Sequence, residues 1–383
     1  MKIAERLDQL FPEMILWRRF LHQHPELSYQ EVKTAAFVAD HLQQLGIQVQ
    51  TGIGGHGVIG VLQGDLPGPT VALRADMDAL PIQDAKTSEY ASCVPGVMHA
   101  CGHDAHTATL LGLAYLFSGI RSKLAGRIKF IFQPAEEVSP GGAIPLIQHG
   151  VLEGVDVIYG VHLWTPFPIG KVYCKAGPMM AAADEFMIEV HGKGGHGGLP
   201  HETVDSVLVG SQLVNHLQSI VSRNIDPTVP AVVSVGSIHA GTSFNVIAER
   251  CSLSGTVRTF DRVIRDKIQK RMEEISRSTC AAYGARCDFE YKIGYPPVIN
   301  HFKEAERFFK VGSEVFGQVH THESPLIMAG EDFSYYLEKI PGCFMFVGAG
   351  NPEQGVIAPH HHPSFDIDEE AMRNAALLMS GMV

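Results

Sequence analysis

Between Met98 and His106 the chain reads Met98-His99-Ala100-Cys101-Gly102-His103-Asp104-Ala105-His106, which places one thiol and three imidazoles within nine residues. A soft thiolate beside borderline imidazoles suits zinc and its transition-metal neighbours, whereas Mg²⁺ and Ca²⁺ call for oxygen ligands. Three other segments carry donors of the same kind. Gln133-Pro134-Ala135-Glu136-Glu137 follows the alternating run 127–132, His162 follows the apolar run 155–161, and Pro359-His360-His361-His362-Pro363-Ser364-Phe365 follows the strand-like run 343–347 and a glycine-rich turn. All four segments sit where strands are predicted to hand over to loops, the place where open α/β sheets build their sites.

Neighbouring side chains on an extended segment point to opposite sides, so Glu136 and Glu137 can divide the work: one holds a metal while the other moves protons. Two divalent ions bridged by a thiolate lower the pKa of a water to about 7 and polarise an amide carbonyl. The second glutamate, Glu136 or Glu137, then takes the water's proton and passes it to the leaving amine. The chemistry is metal-assisted amide hydrolysis. The chain has no Gly-x-Ser-x-Gly elbow, and Cys101 among histidines reads as a ligand as well as it reads as a nucleophile.

Taken in order, Arg74-Ala75-Asp76-Met77-Asp78-Ala79-Leu80-Pro81, the segment from Met98 to His106, Gln133 to Glu137, Gly194-Gly195-His196, Gly241-Thr242-Ser243-Phe244-Asn245-Val246 and His361-His362-Pro363 resemble the bacterial metallo-aminoacylases. These N-acyl-amino-acid amidohydrolases include hippurate hydrolases and the plant auxin-conjugate hydrolases. The similarity runs from near Trp17 to about Asp368. It implies that Cys101 bridges two metal ions, that His103 and His162 complete one of them, that Glu137 and His361 complete the other, and that Glu136 is the general base. Among His360, His361 and His362 the pattern His-x-Pro-x-Phe selects His361, with a neighbouring imidazole as the alternative. His99 and His106 match positions outside the ligand set. Asp76 and Asp78 match a strand-end motif suited to orienting an imidazole, the alternative being ordinary loop aspartates.

The resemblance further implies that His196 reaches into a partner subunit's active site to stabilise an oxyanion, and that Asn245 and Arg258 hold polar groups of the substrate. A guanidinium suits a carboxylate, although Arg258 also reads as a surface residue on an exposed strand face. The implied cofactors are two divalent ions per subunit, zinc foremost, with manganese, cobalt or nickel as alternatives. The implied partner is a small N-acyl-L-amino acid, handled by a homodimer or homotetramer. Lys193-Gly194-Gly195-His196-Gly197-Gly198 lacks the spacing of a phosphate loop.

The elements that must position these residues follow from periodicity. Residues 31–45 read as an amphipathic helix with Gly46 beyond its end, residues 70–75 as a buried strand, and residues 105–117 as a helix rising from the metal motif, with Cys101 and His103 on the loop before it. Between about Ala183 and Ile293 the order becomes strand 185–190, helix 203–221, strands 231–238 and 251–257, helix 263–283 and strand 286–291, the βαββαβ signature of a ferredoxin-like module. The expected architecture is α/β: a layered metallohydrolase catalytic domain, residues 1–182 and 294–383, with an inserted ferredoxin-like α+β domain, residues 183–293, serving dimerisation or as a lid.

With 383 residues the chain exceeds the span over which one core usually grows, so two domains are expected. A net charge of −11 argues against nucleic acid or an anionic membrane as partner. Seven cysteines without close-paired spacing point to a reducing compartment. The amino terminus lacks the apolar core of a signal peptide and no run reaches the length of a membrane span, so cytoplasmic residence is expected. Two other functions are compatible with these features. A dipeptidase or carboxypeptidase substrate also carries a free carboxylate beside a scissile amide, and a noncatalytic metal or acyl-amino-acid binding protein would have no need of Glu136.

Overall fold

The computed structural model describes residues 3–383, which divide into two compact units. The first unit holds the chain up to Met179 together with Ile299–Pro325 and Asp332–Val383; the second holds Met180–Val298 and the short segment Leu326–Glu331. No helix among the described residues is long and apolar enough to cross a membrane.

The first unit is built on an eight-stranded mixed sheet. From edge to edge its strands are Gln48–Ile53, Gly57–Gln63, Ala125–Gln133, Leu66–Asp76, Val157–Pro168, Gly342–Gly350, Val172–Cys174 and Thr321–Glu323. The four central strands are mutually parallel. Gly342–Gly350 is buried along its whole length, as expected of a strand covered on both faces. Helix His103–Ser118 is buried on nearly every side, so it lies inside the layer rather than on its surface. Helices Ile3–Gln23 and Glu370–Met382 pack against it. A Cβ on Gly112 would stand 2.7 Å from Met14 Sδ, so that crossing needs glycine.

Two expectations change here. His103 is the first residue of its helix rather than part of the preceding loop. Gly102, at φ 91, turns the chain sharply enough for the helix to begin one residue after it. His162 stands in the middle of strand Val157–Pro168 and not at its end, because that strand continues beside Gly342–Gly350. On its other side the pairing with Leu66–Asp76 stops at Gly160, so His162 still lies beyond the paired part of that neighbour.

A buried charge cluster fastens the helix that carries the metal motif. Arg18, fully buried on helix Ile3–Gln23, donates from Nε to Asp104 Oδ2 at 2.9 Å, from Nη2 to Asp366 at 2.7 Å and from Nη1 to Glu369 at 3.2 Å. His22 Nδ1 lies 2.7 Å from the same oxygen of Asp104. Asp104 also occupies the first turn of its helix, where negative charge is favoured. Burial alone would raise its carboxyl, but Arg18 and His22 outweigh burial and hold it well below the usual range.

The second unit contains an antiparallel sheet in the order Ala231–Ala240, Arg250–Thr259, Ala182–His191, Arg286–Tyr295. Helices Ser206–Ser219 and Arg262–Ala282 complete the expected βαββαβ order. Phe186, Ile188 and Val190 alternate inward and meet Val209, Leu213 and Leu217 of one helix and Ile268 and Met272 of the other. The first helix begins at Ser206, later than periodicity suggests, because the Asp205 carboxylate accepts the N–H groups of Val207 and Leu208 and caps it there. The fold is thus a layered α/β unit interrupted in sequence by a ferredoxin-like α+β module.

Arg18→Met should cost about 3–5 kcal/mol in urea unfolding, because it strands a buried carboxylate that keeps only His22. A depressed folded pKa stabilises above the unfolded value and ceases to as pH falls through the folded one. Wild-type stability should therefore fall below about pH 4, and fall less steeply in Asp104→Asn.

Candidate metal centre

The site forms where the parallel strands end. Asp76 is the last residue of strand Leu66–Asp76 and Gln133 the last of Ala125–Gln133. Arg74, buried between them, donates to Gln133 Oε1 at 3.0 Å, to Asp76 Oδ2 at 2.6 Å and to Asp332 Oδ1 at 2.8 Å. Tyr336 adds a hydrogen bond to Gln133 Oε1 at 3.0 Å. Sequence reasoning did not single out Gln133, Asp332 or Tyr336. Asp332 and Tyr336 lie 199 and 203 residues from Gln133 and show no local pattern, and only the position of Gln133 at a strand end was a usable signal.

Cys101, His103, Glu136, Glu137, His162 and His361 all belong to the first unit. The ligand atoms of Cys101, His103 and Glu137 lie within 4.8 Å of one another, as do those of Cys101, His162 and His360. Cys101 Sγ is 3.5 Å from His162 Nε2. His361 Nε2 is 3.3 Å from Glu137 Oε1, and His103 Nε2 is 3.9 Å from the same oxygen. One thiol is therefore shared by two donor groups. His360 comes closer to Cys101 and His162 than its place outside the His-x-Pro-x-Phe pattern suggests, its ring stacked on Trp164 at 4.3 Å.

The ring orientations are set by neighbours. His103 Nδ1 donates to the Asp78 carbonyl at 2.9 Å and faces Asp78 Oδ1 at 3.2 Å, so Nε2 is the nitrogen that can give up its proton and offer a lone pair to a cation. That nitrogen is buried with no hydrogen-bond partner among the described residues, as a ligand atom awaiting a cation would be. His162 Nδ1 faces the Leu163 carbonyl at 2.9 Å, turning Nε2 toward Cys101. In His106 both nitrogens are engaged, Nδ1 with Asp76 at 2.6 Å and Nε2 accepting the Leu163 N–H at 2.9 Å, so the ring has no lone pair left for a metal. Neither ring nitrogen of buried His99 has a hydrogen-bond partner among the described residues, and burial pushes it down to about 3, a neutral packing residue.

The electrostatics favour a cation. Burial opposes charge on Asp76, yet His103, Arg74 and His106 hold its carboxyl well below the usual range. Burial likewise opposes charge on His103, but Asp76, Asp78 and Glu137 raise it to about 10. Burial first, then Glu137, Glu136 and Asp76, push the Cys101 thiol well above its ordinary value. The helix end beside Cys101 does not by itself create a thiolate; positive charge placed among these groups would. The donor set and the unpartnered Nε2 of His103 fit divalent metal ions.

His196, Asn245 and Arg258 belong to the second unit. The two-residue strands Gly195–His196 and Val246–Ile247 pair, and Gly197 donates to the Asn245 carbonyl at 2.8 Å, which brings His196 and Asn245 side by side on the surface. A Cβ on Gly197 would lie 2.9 Å from that carbonyl, so the close approach uses glycine. His196 Nδ1 accepts the Gly198 N–H at 2.9 Å, which puts the neutral ring's proton on exposed Nε2. Arg258 is half-buried and donates to the Val257 and Asp184 carbonyls and to the Thr256 hydroxyl.

Fold and site together define a metal-dependent hydrolase of the layered α/β class. The sequence matches the family described as Peptidase family M20/M25/M40 over residues 72–383. It is 50% identical over 300 residues to N-acyl-L-amino acid amidohydrolase of Geobacillus stearothermophilus, covering 78% of this chain and 81% of that one. It is 42% identical over 384 residues to thermostable carboxypeptidase 2 of Saccharolobus solfataricus, covering 98% and 97%. The structure resembles that of the Bacillus subtilis YXEP protein, described as a dinuclear metal binding peptidase from the M20 family. The TM-score is 0.84 at 35% identity, over 98% of this chain and 97% of that one. The chain belongs to the M20/M25/M40 peptidase family.

Asp78→Ala keeps the backbone carbonyl but removes the carboxylate that faces His103 Nδ1 and accepts the Glu137 N–H, and should weaken metal binding by about 10–100-fold, measured by competition with a chromophoric chelator. Unchanged affinity would show that the carboxylate does not set the ligand. Because His103 and Cys101 hold protons in the metal-free protein, affinity should rise with pH, with proton release on metal uptake seen by calorimetry in buffers of different ionisation enthalpy.

Proposed function

We propose that this protein hydrolyses the amide bond of N-acyl-L-amino acids with two divalent metal ions, releasing a carboxylate and a free amino acid. The observation that carries the reading is Cys101, one thiol that belongs to two separate donor groups, one with His103 and Glu137 and one with His162 and His360, the atoms of each lying within 4.8 Å of one another. Cys101, His103, Glu137, His162 and His361 would hold the two ions, with Cys101 shared between them, His103 and His162 assigned to one and Glu137 and His361 to the other by the family resemblance, a pairing that differs from the spatial grouping around Cys101. Zinc suits this set, with manganese, cobalt or nickel as substitutes. When bound, the ions supply Lewis acidity toward the amide carbonyl and the attacking water.

The chain's own groups do the rest. Glu136, buried on the loop after strand Ala125–Gln133, accepts the water's proton and delivers it to the leaving nitrogen. Asp78 and the Leu163 carbonyl keep His103 and His162 in the tautomers that present Nε2. His196, its Nε2–H exposed on the second unit, is the oxyanion donor, acting in the active site of a partner subunit of a homodimer or homotetramer. Asn245 and Arg258 bind polar groups of the substrate. All seven cysteines are free thiols, which suits the cytoplasm.

The similarity to a carboxypeptidase over nearly the whole chain supports a second reading, cleavage of a carboxy-terminal residue from a peptide. A panel of N-acetyl, N-benzoyl and dipeptide substrates, assayed on metal-stripped protein refilled with each metal in turn, separates the two. Stripped protein should be inactive and recover on refilling; full activity in protein shown to be metal-free by elemental analysis would exclude the mechanism.

Glu136→Gln keeps its shape but accepts no proton, so turnover should fall by about 10²–10⁴ with metal content near wild type. Glu137→Gln should instead lose metal. Exchanged phenotypes would reverse the two assignments.

His196→Ala should lose about 10²–10³ in turnover with its metals retained. Mixing it with Glu136→Gln should restore activity, because a mixed dimer contains one site with both an intact base and an intact donor. No recovery after demonstrated subunit exchange would confine His196 to its own chain or remove it from the reaction.

A further inference from the structure

Glu31, just before helix Val32–Gln44, has no solvent exposure, and no metal ligand or reacting group accounts for its burial. Its Oε1 accepts two backbone N–H groups, that of Ala135 at 2.8 Å and that of Tyr29 at 3.1 Å. Both donors belong to residues in the left-handed region, Ala135 at φ 55 and Tyr29 at φ 64. For residues with a Cβ that conformation is costly and persists where surrounding structure enforces it. Ala135 stands directly before Glu136.

The backbone beyond Glu136 is held as well. The Glu137 N–H donates to Asp78 Oδ2 at 3.0 Å, the Gly142 N–H to the Ala135 carbonyl at 3.0 Å, and the Tyr29 hydroxyl to the Val138 carbonyl at 3.3 Å. The N–H before Glu136 is thus pinned by Glu31 and the N–H after it by Asp78. We propose that Glu31 is a positioning residue for the general base: its Oε1 holds Ala135 in the left-handed conformation that sets the direction in which the Glu136 side chain leaves the backbone. The proposal rests on the assignment of Glu136 as base. Burial pushes the Glu31 carboxyl up to about 7, but Oε1 keeps a lone pair in either protonation state, so the acceptor matters and the charge does not.

The test uses the metal-loaded full chain and an N-acetyl-L-amino acid. Glu31→Ala should lower kcat by about 10–100-fold, the scale of a 1 Å misplacement of a catalytic group. KM should stay within about threefold, two ions per chain should remain by elemental analysis, and amide exchange across residues 133–138 should accelerate. Glu31→Gln, which keeps the acceptor oxygen, should stay within about threefold of wild type in kcat and in exchange. Adding Ala135→Gly to Glu31→Ala should recover about fivefold or more, since glycine takes positive φ without support.

Glu31→Leu fills the volume without an acceptor and replaces Glu31→Ala should that variant not fold. Wild-type kcat in the acceptor-less variants would overturn the proposal. So would a loss that tracks metal loss, equal damage in Glu31→Gln, or failure of both acceptor-less variants to fold while Glu31→Gln folds. Glu136→Gln is assayed alongside. If it is inactive while Glu31→Ala is unaffected, only the role of Glu31 fails; if it is active, the assignment of the base fails and the proposal with it.

Discussion

Asp78 is the constraint on which the metal centre depends. One buried carboxylate faces His103 Nδ1 through Oδ1, while Oδ2 accepts the Ser28 hydroxyl at 2.7 Å and the Glu137 N–H at 3.0 Å. It therefore joins the segment before the second helix, the end of a central strand, the first residue of helix His103–Ser118 and the loop of adjacent glutamates. Burial opposes its charge, but the hydrogen bond and charge of His103 prevail and lower its pKa. The imidazole is raised by the same contact. Each group keeps the other ionised until a cation displaces the proton on the ring.

Around this contact the site is assembled from backbone that is unusual for its residue types. Among the described residues the non-glycine positions at positive φ are Tyr29, Ala135 and His361, and all lie in the site or against it. Strain of this kind is stable only where several hydrogen bonds oppose relaxation. Those bonds are present: His361 N–H donates to the Ala100 carbonyl at 2.8 Å, next to Cys101, and Ala135 is held at both its N–H and its carbonyl. Arg74 plays a corresponding part at the strand ends, where it satisfies Asp76, Gln133 and Asp332 together, all of them buried from solvent.

The helix carrying the metal motif is anchored from its far side. Arg18 ties its first turn to helix Ile3–Gln23 and, through Asp366 and Glu369, to the segment that follows the histidine triplet. Termini distant in sequence thus hold one helix end, and with it Cys101 and His103. A charged cluster so deeply buried specifies geometry better than it adds stability, because desolvation offsets much of its attraction.

Much of the chemistry was legible in the amino-acid order. Thiol, imidazole and carboxylate identities are local, and the 3.6 and 2 periodicities located most elements to within a few residues, including the βαββαβ module. Local signals misplaced His103 by putting it before its helix and His162 by putting it at a strand end, because where a helix begins depends on the φ of one glycine and where a strand stops depends on its neighbours. What only the tertiary structure decided was orientation: that His106 is saturated while His103 Nε2 is left without a hydrogen-bond partner among the described residues, that His360 joins Cys101 and His162, that Glu31 reaches Ala135 across 104 residues and Arg74 reaches Asp332 across 258. Residue type determines which atoms can bind a metal or a proton. Which lone pair points inward is settled by hydrogen bonds between segments that only the folded chain brings within 3 Å of each other.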